Sequence, residues 1–384
     1  MLELYTYFSF LPSKIAENQW ESTQVGSLID KHTKDHFPDL HSVELVIFNI
    51  KEYQGSKNNL DNNDCYIRSA LYELHQEKLP KTVDLGELNL MPTRKESFEI
   101  IKKVCCSLLN IGVLPIIIGG GNDLAYYIYR SYADLEKYIS FTAIDKSFDI
   151  GLENDNLTSE SYFGKIMRHN PSRLFHYTNL GYQTHFVSPI AIKMLQEMNF
   201  DLIRLGHLRS DLSNIEPIMR NTDFLSFDIS AIQSSVAPAN IYASPNGLSG
   251  EEACKTMHYA GLSDKLSVVG LFEYNQQLDT SRQTAQLLSQ MIWYFIEGYN
   301  DRMNELNPQL KSCIKYTVAF EDGKNIIVFY KSQLSGRWWM GVPFKNEGDK
   351  ESKNYFVACS YHDYEIANKG EIPDRWLKTY NKFI

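Results

Sequence analysis

The chain has 384 residues, 43% of them hydrophobic and 22% charged, ordinary globular values that exclude a mostly disordered protein. Lys plus Arg number 38 against 47 Asp plus Glu, and the net charge of −9 argues against a polyanion such as nucleic acid as partner. The longest apolar runs, Val113–Ile118 and Met291–Ile296, fall far short of the roughly 20 residues of a membrane span, so no membrane partner is expected. The N-terminal stretch lacks a basic segment and places Glu3 early, against a secretory signal. Six cysteines without a CxxC pair fit a reducing, cytoplasmic compartment.

Along the chain, short apolar runs alternate with helical patterns. Val43–Ile50 reads as a buried strand, and Arg94–Leu109 places Phe98, Ile101, Val104, Cys105 and Leu108 at helical spacing. Val113–Ile118 is a β-branched run halted by Gly119-Gly120-Gly121, and a helix follows over Leu124–Tyr132. Strands over Ile139–Ile144, Leu202–Leu205, Phe224–Ile229 and Leu266–Phe272 come next, with helices around Ile190–Met198 and Thr284–Ile296. Strands separated by helices predict βαβ units, a mostly parallel sheet and a site at the strands' carboxyl ends. The last 80 or so residues read differently. Tyr316–Phe320 and Asn325–Tyr330 alternate around Glu321-Asp322-Gly323-Lys324, a hairpin signal. Trp338-Trp339 fits either core or a docking patch, Lys345–Lys353 reads as a loop, and a short helix follows Pro373. The predicted division is an α/β domain over 1–304 and a β-rich appendage over 305–384.

Four clusters follow predicted strands: Gly119–Asp123, Asp145–Asp149, Ser226–Ser230, and Glu273-Tyr274-Asn275 with Asp279 and Thr284-Ala285. In an extended segment Asp145, Ser147 and Asp149 share one side and Lys146 takes the other, while Asp228 and Ser230 share a face. Converging carboxylates imply a cation, protonation or basic neighbours. Taken singly, each Asp also fits a helix cap. The histidines at 169, 176, 185 and 207 have no ligand spacing and read as scattered over loops and helices.

In order and interval, the clusters resemble the ureohydrolase family of arginase, agmatinase and formimidoylglutamase, from about Asp39 to Tyr299. Tyr66-Ile67-Arg68 and Asp84-Leu85-Gly86 resemble early landmarks of that family. GGGNDLA (Gly119–Ala125) looks like its GGDHSLA motif, Asp145–Asp149 like DAHxD, and Ser226–Ser230 like SxDxD. Ala237-Pro238, Ser244-Pro245 with Gly247-Leu248-Ser249, and Glu273-Tyr274-Asn275 continue the match.

The resemblance implies a three-layer α/β/α arginase-type fold with a mostly parallel sheet and a C-terminal β-rich extension. Active members hold two Mn²⁺ ions through two His and four Asp, with a bridging hydroxide that attacks the amidino carbon. Carried over, Asn122 stands at the first His. Asp145 and Asp228 match the carboxylates shared by both metals, and Asp149 the remaining ligand of the first. The second metal's own ligands fall at Ser147 and Ser230. The resemblance therefore implies one divalent cation (Mn²⁺, Mg²⁺ or Ca²⁺) at Asn122, Asp145, Asp149 and Asp228, and an empty second site. Lys146 replaces a small residue, and its ammonium offsets the acidic cluster if its chain curls back.

Glu273, at the position that pairs with the substrate's cationic group, joins Asp145 and Asp228 as an expected catalytic residue. Two functions follow as expectations. One is a homologue with a degenerate metal site, little or no amidine hydrolysis, and a ligand- or partner-binding role. The other is an active, formimidoylglutamase-like hydrolase of C–N bonds in linear amidines using one metal. A small amidino or amino-acid-like ligand, a homo-oligomer, and a protein partner at the C-terminal extension are the implied partners.

Overall fold

The computed structural model describes residues 4–58, 65–151, 156–320, 325–345 and 353–383. Ten strands form one sheet: β1 (Phe8–Ser9), β2 (Asp30–Lys31), β3 (Leu45–Asn49), β4 (Thr82–Leu88), β5 (Leu114–Ile118), β6 (Ile139–Ile144), β7 (Leu174–Tyr182), β8 (Asp201–Arg204), β9 (Phe224–Asp228) and β10 (Val268–Phe272). Their order is β1-β4-β3-β5-β10-β9-β6-β7-β8, with β2 beside β4, and all pairs are parallel except β1 with β4.

The apolar runs are continuous because both faces of the sheet are covered. On β3, Leu45 and Ile47 enter one core while Val46 and Phe48 enter the other. The helices Cys65–Glu73, Gly250–Gly261 and Gln283–Asn300 cover the first face through Ile67, Met257 and Ile292. Arg94–Asn110, Leu124–Asp134 and Tyr162–Met167 cover the second through Ile101, Ile128 and Tyr162. The result is the three-layer α/β/α arrangement that the resemblance implies.

Four strands of this sheet escape the sequence reading: the two-residue β1 and β2, and the longer β4 and β7. β4 carries Asp84 and Gly86 inside a buried strand. The charge is tolerated because Arg68 grips Asp84 with Nε at 2.7 Å and Nη2 at 3.0 Å, and the Tyr72 hydroxyl donates at 2.9 Å. β7 mixes His176, Thr178 and Asn179 with aromatics, so it lacks an apolar run. His176 thus lies in a strand, not in the loop or helix expected of it.

Strands β11 (Cys313–Phe320), β12 (Asn325–Ser332), β13 (Trp338–Phe344) and β14 (Lys353–Cys359) form a separate antiparallel sheet in that order. The predicted hairpin is present, with Phe320 paired to Asn325, and its turn at 321–324 lies outside the described residues. So does 346–352, most of the predicted loop. Val318, Phe329, Trp338 and Met340 build a small core of their own. Both tryptophans are buried. The guanidinium of Arg220 lies 5.0 Å from the Trp339 ring and donates to the carbonyls of Trp338 and Cys359, joining this sheet to the α/β layers. The predicted terminal helix is Asp374–Tyr380.

Candidate metal centre

The sheet's carboxyl edge carries all the clusters that the sequence singles out. β5 stops at Ile118, and Gly119 and Gly120 turn the chain at φ +83° and +82°. A side chain at Gly120 would place Cβ 2.2 Å from Leu124 Cδ1 and 3.0 Å from the Glu52 carbonyl, so only glycine fits. This turn delivers Asn122 to the strand ends. Asp145 follows β6, Asp228 closes β9, and Glu273 follows β10 at φ +70°.

Carboxylate oxygens of Asp145, Asp149 and Asp228 lie within 4.8 Å of one another. Among the described residues no other set of three His, Cys, Asp or Glu side chains converges in this way, and no His belongs to it. Asn122 sits over the set. Its amide nitrogen is 3.5 Å from Asp145 Oδ2 and 3.4 Å from Asp228 Oδ2, and its oxygen accepts from the Ser226 hydroxyl at 2.8 Å. Ser226 and Asp228 are two apart on β9 and therefore share a face. A hydroxyl donates or accepts equally well, so rotating the Asn122 amide keeps the Ser226 bond and turns the amide oxygen to the carboxylates.

Ser147 bridges the set. Its N–H donates to Asp145 Oδ1 at 2.9 Å and its hydroxyl to Asp149 Oδ1 at 2.8 Å. Asp149 holds a left-handed backbone, φ +49°, a strained conformation for a non-glycine residue of the kind found at functional sites. Ser230 donates its N–H to Asp228 Oδ1 at 2.7 Å, so Asp228 caps the following turn while facing the cluster. Lys146 does not curl back toward the acids. Its ammonium donates to the Tyr242 carbonyl and lies 4.9 Å from the Phe186 ring and 5.6 Å from the Tyr242 ring.

Burial, then the charge of Asp149, pushes Asp145 well above the usual carboxylate range. Burial and the Asp145 charge do the same to Asp228. Asp149 is pushed up to about 7 by burial, with hydrogen bonds from Asp145 and Ser147 opposing and the charge of Asp228 adding. Three converging carboxyls, Asp145 and Asp228 buried and Asp149 half-buried, with no ion pair among the described residues, are an incomplete charge set. One hard divalent cation fits the donors present, which are carboxylate and amide oxygens. Ser147 and Ser230, where the resemblance puts the ligands of a second ion, add neutral hydroxyls beside this set.

Glu273, 1% exposed, lies behind Asn122. Its Oε1 accepts the Asn122 N–H at 2.8 Å and the Ser159 hydroxyl, and its Oε2 accepts from Asn58 Nδ2 at 2.6 Å and from the Ser56 hydroxyl. Ser56, Asn58 and Ser159 come from two loops distant in sequence and carry no motif, so sequence reasoning missed them. Ser226 lay inside a quoted motif without an assigned role. Beneath, Arg94 pairs with Asp123 and with Glu52, and burial still pushes Asp123 up to about 8.

The arginase family model matches residues 64–297, more than half of the chain and every cluster above. The chain belongs to the arginase family. A formimidoylglutamase of Geobacillus kaustophilus is 26% identical over 233 residues, 58% of this chain and 72% of that one. Another, from Vibrio parahaemolyticus, is 23% identical over 273 residues, 63% and 78% of the two chains. The fold matches a Trypanosoma cruzi formiminoglutamase solved with Mn²⁺, at TM-score 0.64 and 19% identity, over 73% of this chain and 99% of that one. An agmatine ureohydrolase of Thermoplasma volcanium matches at TM-score 0.58 and 16% identity, over 76% and 98%. The arginase-family match ends before β11, so the second sheet lies outside it. No helix among the described residues is long and apolar enough to cross a membrane.

Proposed function

We propose that this arginase-family chain holds a single divalent cation through Asn122, Asp145, Asp149 and Asp228, binds a small amidino compound above it, and hydrolyses it weakly or not at all. The observation that carries the reading is the pairing of three converging carboxyls with hydroxyls at Ser147 and Ser230. When bound, one divalent ion supplies Lewis-acid polarisation of water and substrate, less than a two-ion centre supplies. Asp145, Asp149 and Asp228 offer it three negative charges. Ser226 sets the Asn122 amide, Ser147 spaces Asp145 from Asp149, and Glu273 fixes the Asn122 backbone. A cationic head group reaches the Glu273 carboxylate only by displacing the Ser56 or Ser159 hydroxyl, which favours a positioning role for Glu273.

The second reading is a one-metal hydrolase of linear amidines. It is favoured by the retention of all three carboxylates together with Glu273. A calorimetric Mn²⁺ titration, paired with assays for urea, formamide and ammonia from arginine, agmatine, guanidinobutyrate and formiminoglutamate, separates the two. One Mn²⁺ site and at most slow product formation over the Asp145→Asn/Asp228→Asn control is the expected outcome. Sustained rapid turnover above that control moves the chain to the second reading, and no Mn²⁺ binding removes both.

A further inference from the structure

The cleft over the carboxylates has a volume of about 700 Å³, within the range of small-molecule sites, and its walls are chemically one-sided. Asp149, Asp228 and Glu273 reach its floor. One wall is apolar: Phe148, Phe186, Val187, Ile190, Ala191 and Met194. Ile190 and Met194 lie one turn apart on the Pro189–Glu197 helix, on one face. Ile190 is 80% exposed, Phe186 44% and Met194 37%, so the wall meets open water. Such an apolar rim beside a polar floor marks a binding surface.

Away from the floor, the charged groups of the lining already have partners. Lys146 is the only described cation among them, and its ammonium is held by the Tyr242 carbonyl between two rings. Glu160 pairs with Lys57 at 2.7 Å and accepts from the Tyr242 hydroxyl at 3.0 Å. Among the described lining residues, a ligand ending in an α-amino acid carboxylate therefore meets only the Lys146 ammonium, already held by a carbonyl and two rings, whereas an alkyl chain meets the whole apolar wall. At the floor the balance is opposite: Asp145, Asp149, Asp228 and Glu273 set four carboxyls against one divalent ion, an acidic excess that favours a cationic head.

We propose that the cleft takes a linear amidine or guanidine on an uncharged aliphatic chain, the cationic head over the floor and the chain along Phe186, Ile190 and Met194. This rests on the reading that the floor receives an amidino group. It replaces the amino-acid-like ligand with an alkyl one.

The test is calorimetry on the full chain, with Mn²⁺ and again with chelator, using methyl-, butyl- and hexylguanidine, 4-guanidinobutyrate, formiminoglutamate and hexanol. Affinity is expected to rise with chain length, by up to about fourfold per methylene. Hexylguanidine should exceed 4-guanidinobutyrate by tenfold or more, and hexanol should bind far more weakly. Ile190→Arg, at an exposed position that leaves the fold intact, is expected to reverse the order of hexylguanidine and 4-guanidinobutyrate. Guanidine binding independent of chain length, or tighter binding of either carboxylate ligand, overturns the alkyl assignment and leaves the floor reading in place. Failure of every guanidine to bind, or hexanol binding as well as hexylguanidine, overturns the floor reading and this proposal together.

Discussion

Two clusters of charged side chains lie toward opposite ends of the same parallel sheet, and they are built on opposite principles. At the carboxyl ends, Asp145, Asp149 and Asp228 face one another, and burial with mutual repulsion drives their pKa values up. At the other end Asp201, the first residue of β8, accepts from His176 Nε2 at 2.9 Å and from Lys378 Nζ at 2.6 Å. Burial alone would raise Asp201, but His176 and Lys378 outweigh it and hold the carboxyl well below its usual range. Burial lowers the His176 pKa, and the ring stands between Asp201 at Nε2 and Lys382 at Nδ1. One cluster is complete and fastens the C-terminal helix to the α/β layers. The other makes no ion pair with the described residues. Buried charge thus distinguishes a clasp from a site by whether the partners come from the chain itself.

Neutralising a member of each cluster should have opposite effects. Asp145→Asn or Asp228→Asn is expected to weaken Mn²⁺ binding by about 100-fold or more, measured by calorimetry. The same variants should raise the Tm of the chelator-treated protein, because they remove like-charge repulsion and the cost of a buried carboxyl. Asp201→Asn should do the reverse, costing about 3 kcal/mol in urea unfolding and leaving Mn²⁺ affinity unchanged. A fall in chelated Tm for Asp145→Asn would mean that its cluster is structural like the other.

Much of this contrast is invisible in sequence. Strands β5, β6, β9 and β10 were legible because their apolar runs end in Gly, Asp or Glu, and the three converging carboxylates sit at or just beyond those ends. β4 and β7 were not, because the polar groups inside them are satisfied by partners that only folding supplies: Arg68 for Asp84, and Asp201 with Lys382 for His176. The four donors around Glu273 come from three loops, and of the apolar wall at Phe186–Met194 only the part from Ile190 onward lay in a predicted helix. Position in a motif revealed which acids converge. It could not reveal that Lys146 turns away from them.

The clasp also carries a pH signature. Lys382 is held down to about 7, chiefly by burial. Between about pH 7 and the ordinary lysine range near 10.5, the unfolded chain keeps this proton after the folded one has released it. Stability should therefore rise with pH across that window. Lys382→Met is expected to flatten the rise, read as the difference in urea midpoint between pH 7 and pH 9.5. An unchanged slope would remove Lys382 from the account. Smaller still is Ser226→Ala, which frees the Asn122 amide and should weaken Mn²⁺ binding by about tenfold, with no change in Tm of the chelated protein.

The most direct test is elemental analysis of manganese per chain after dialysis from excess Mn²⁺, on the natural sequence and on the Asn122→His/Ser147→His/Ser230→Asp variant. One ion in the natural chain and two in the variant is the predicted pair. Two tightly held ions in the natural chain would contradict the account.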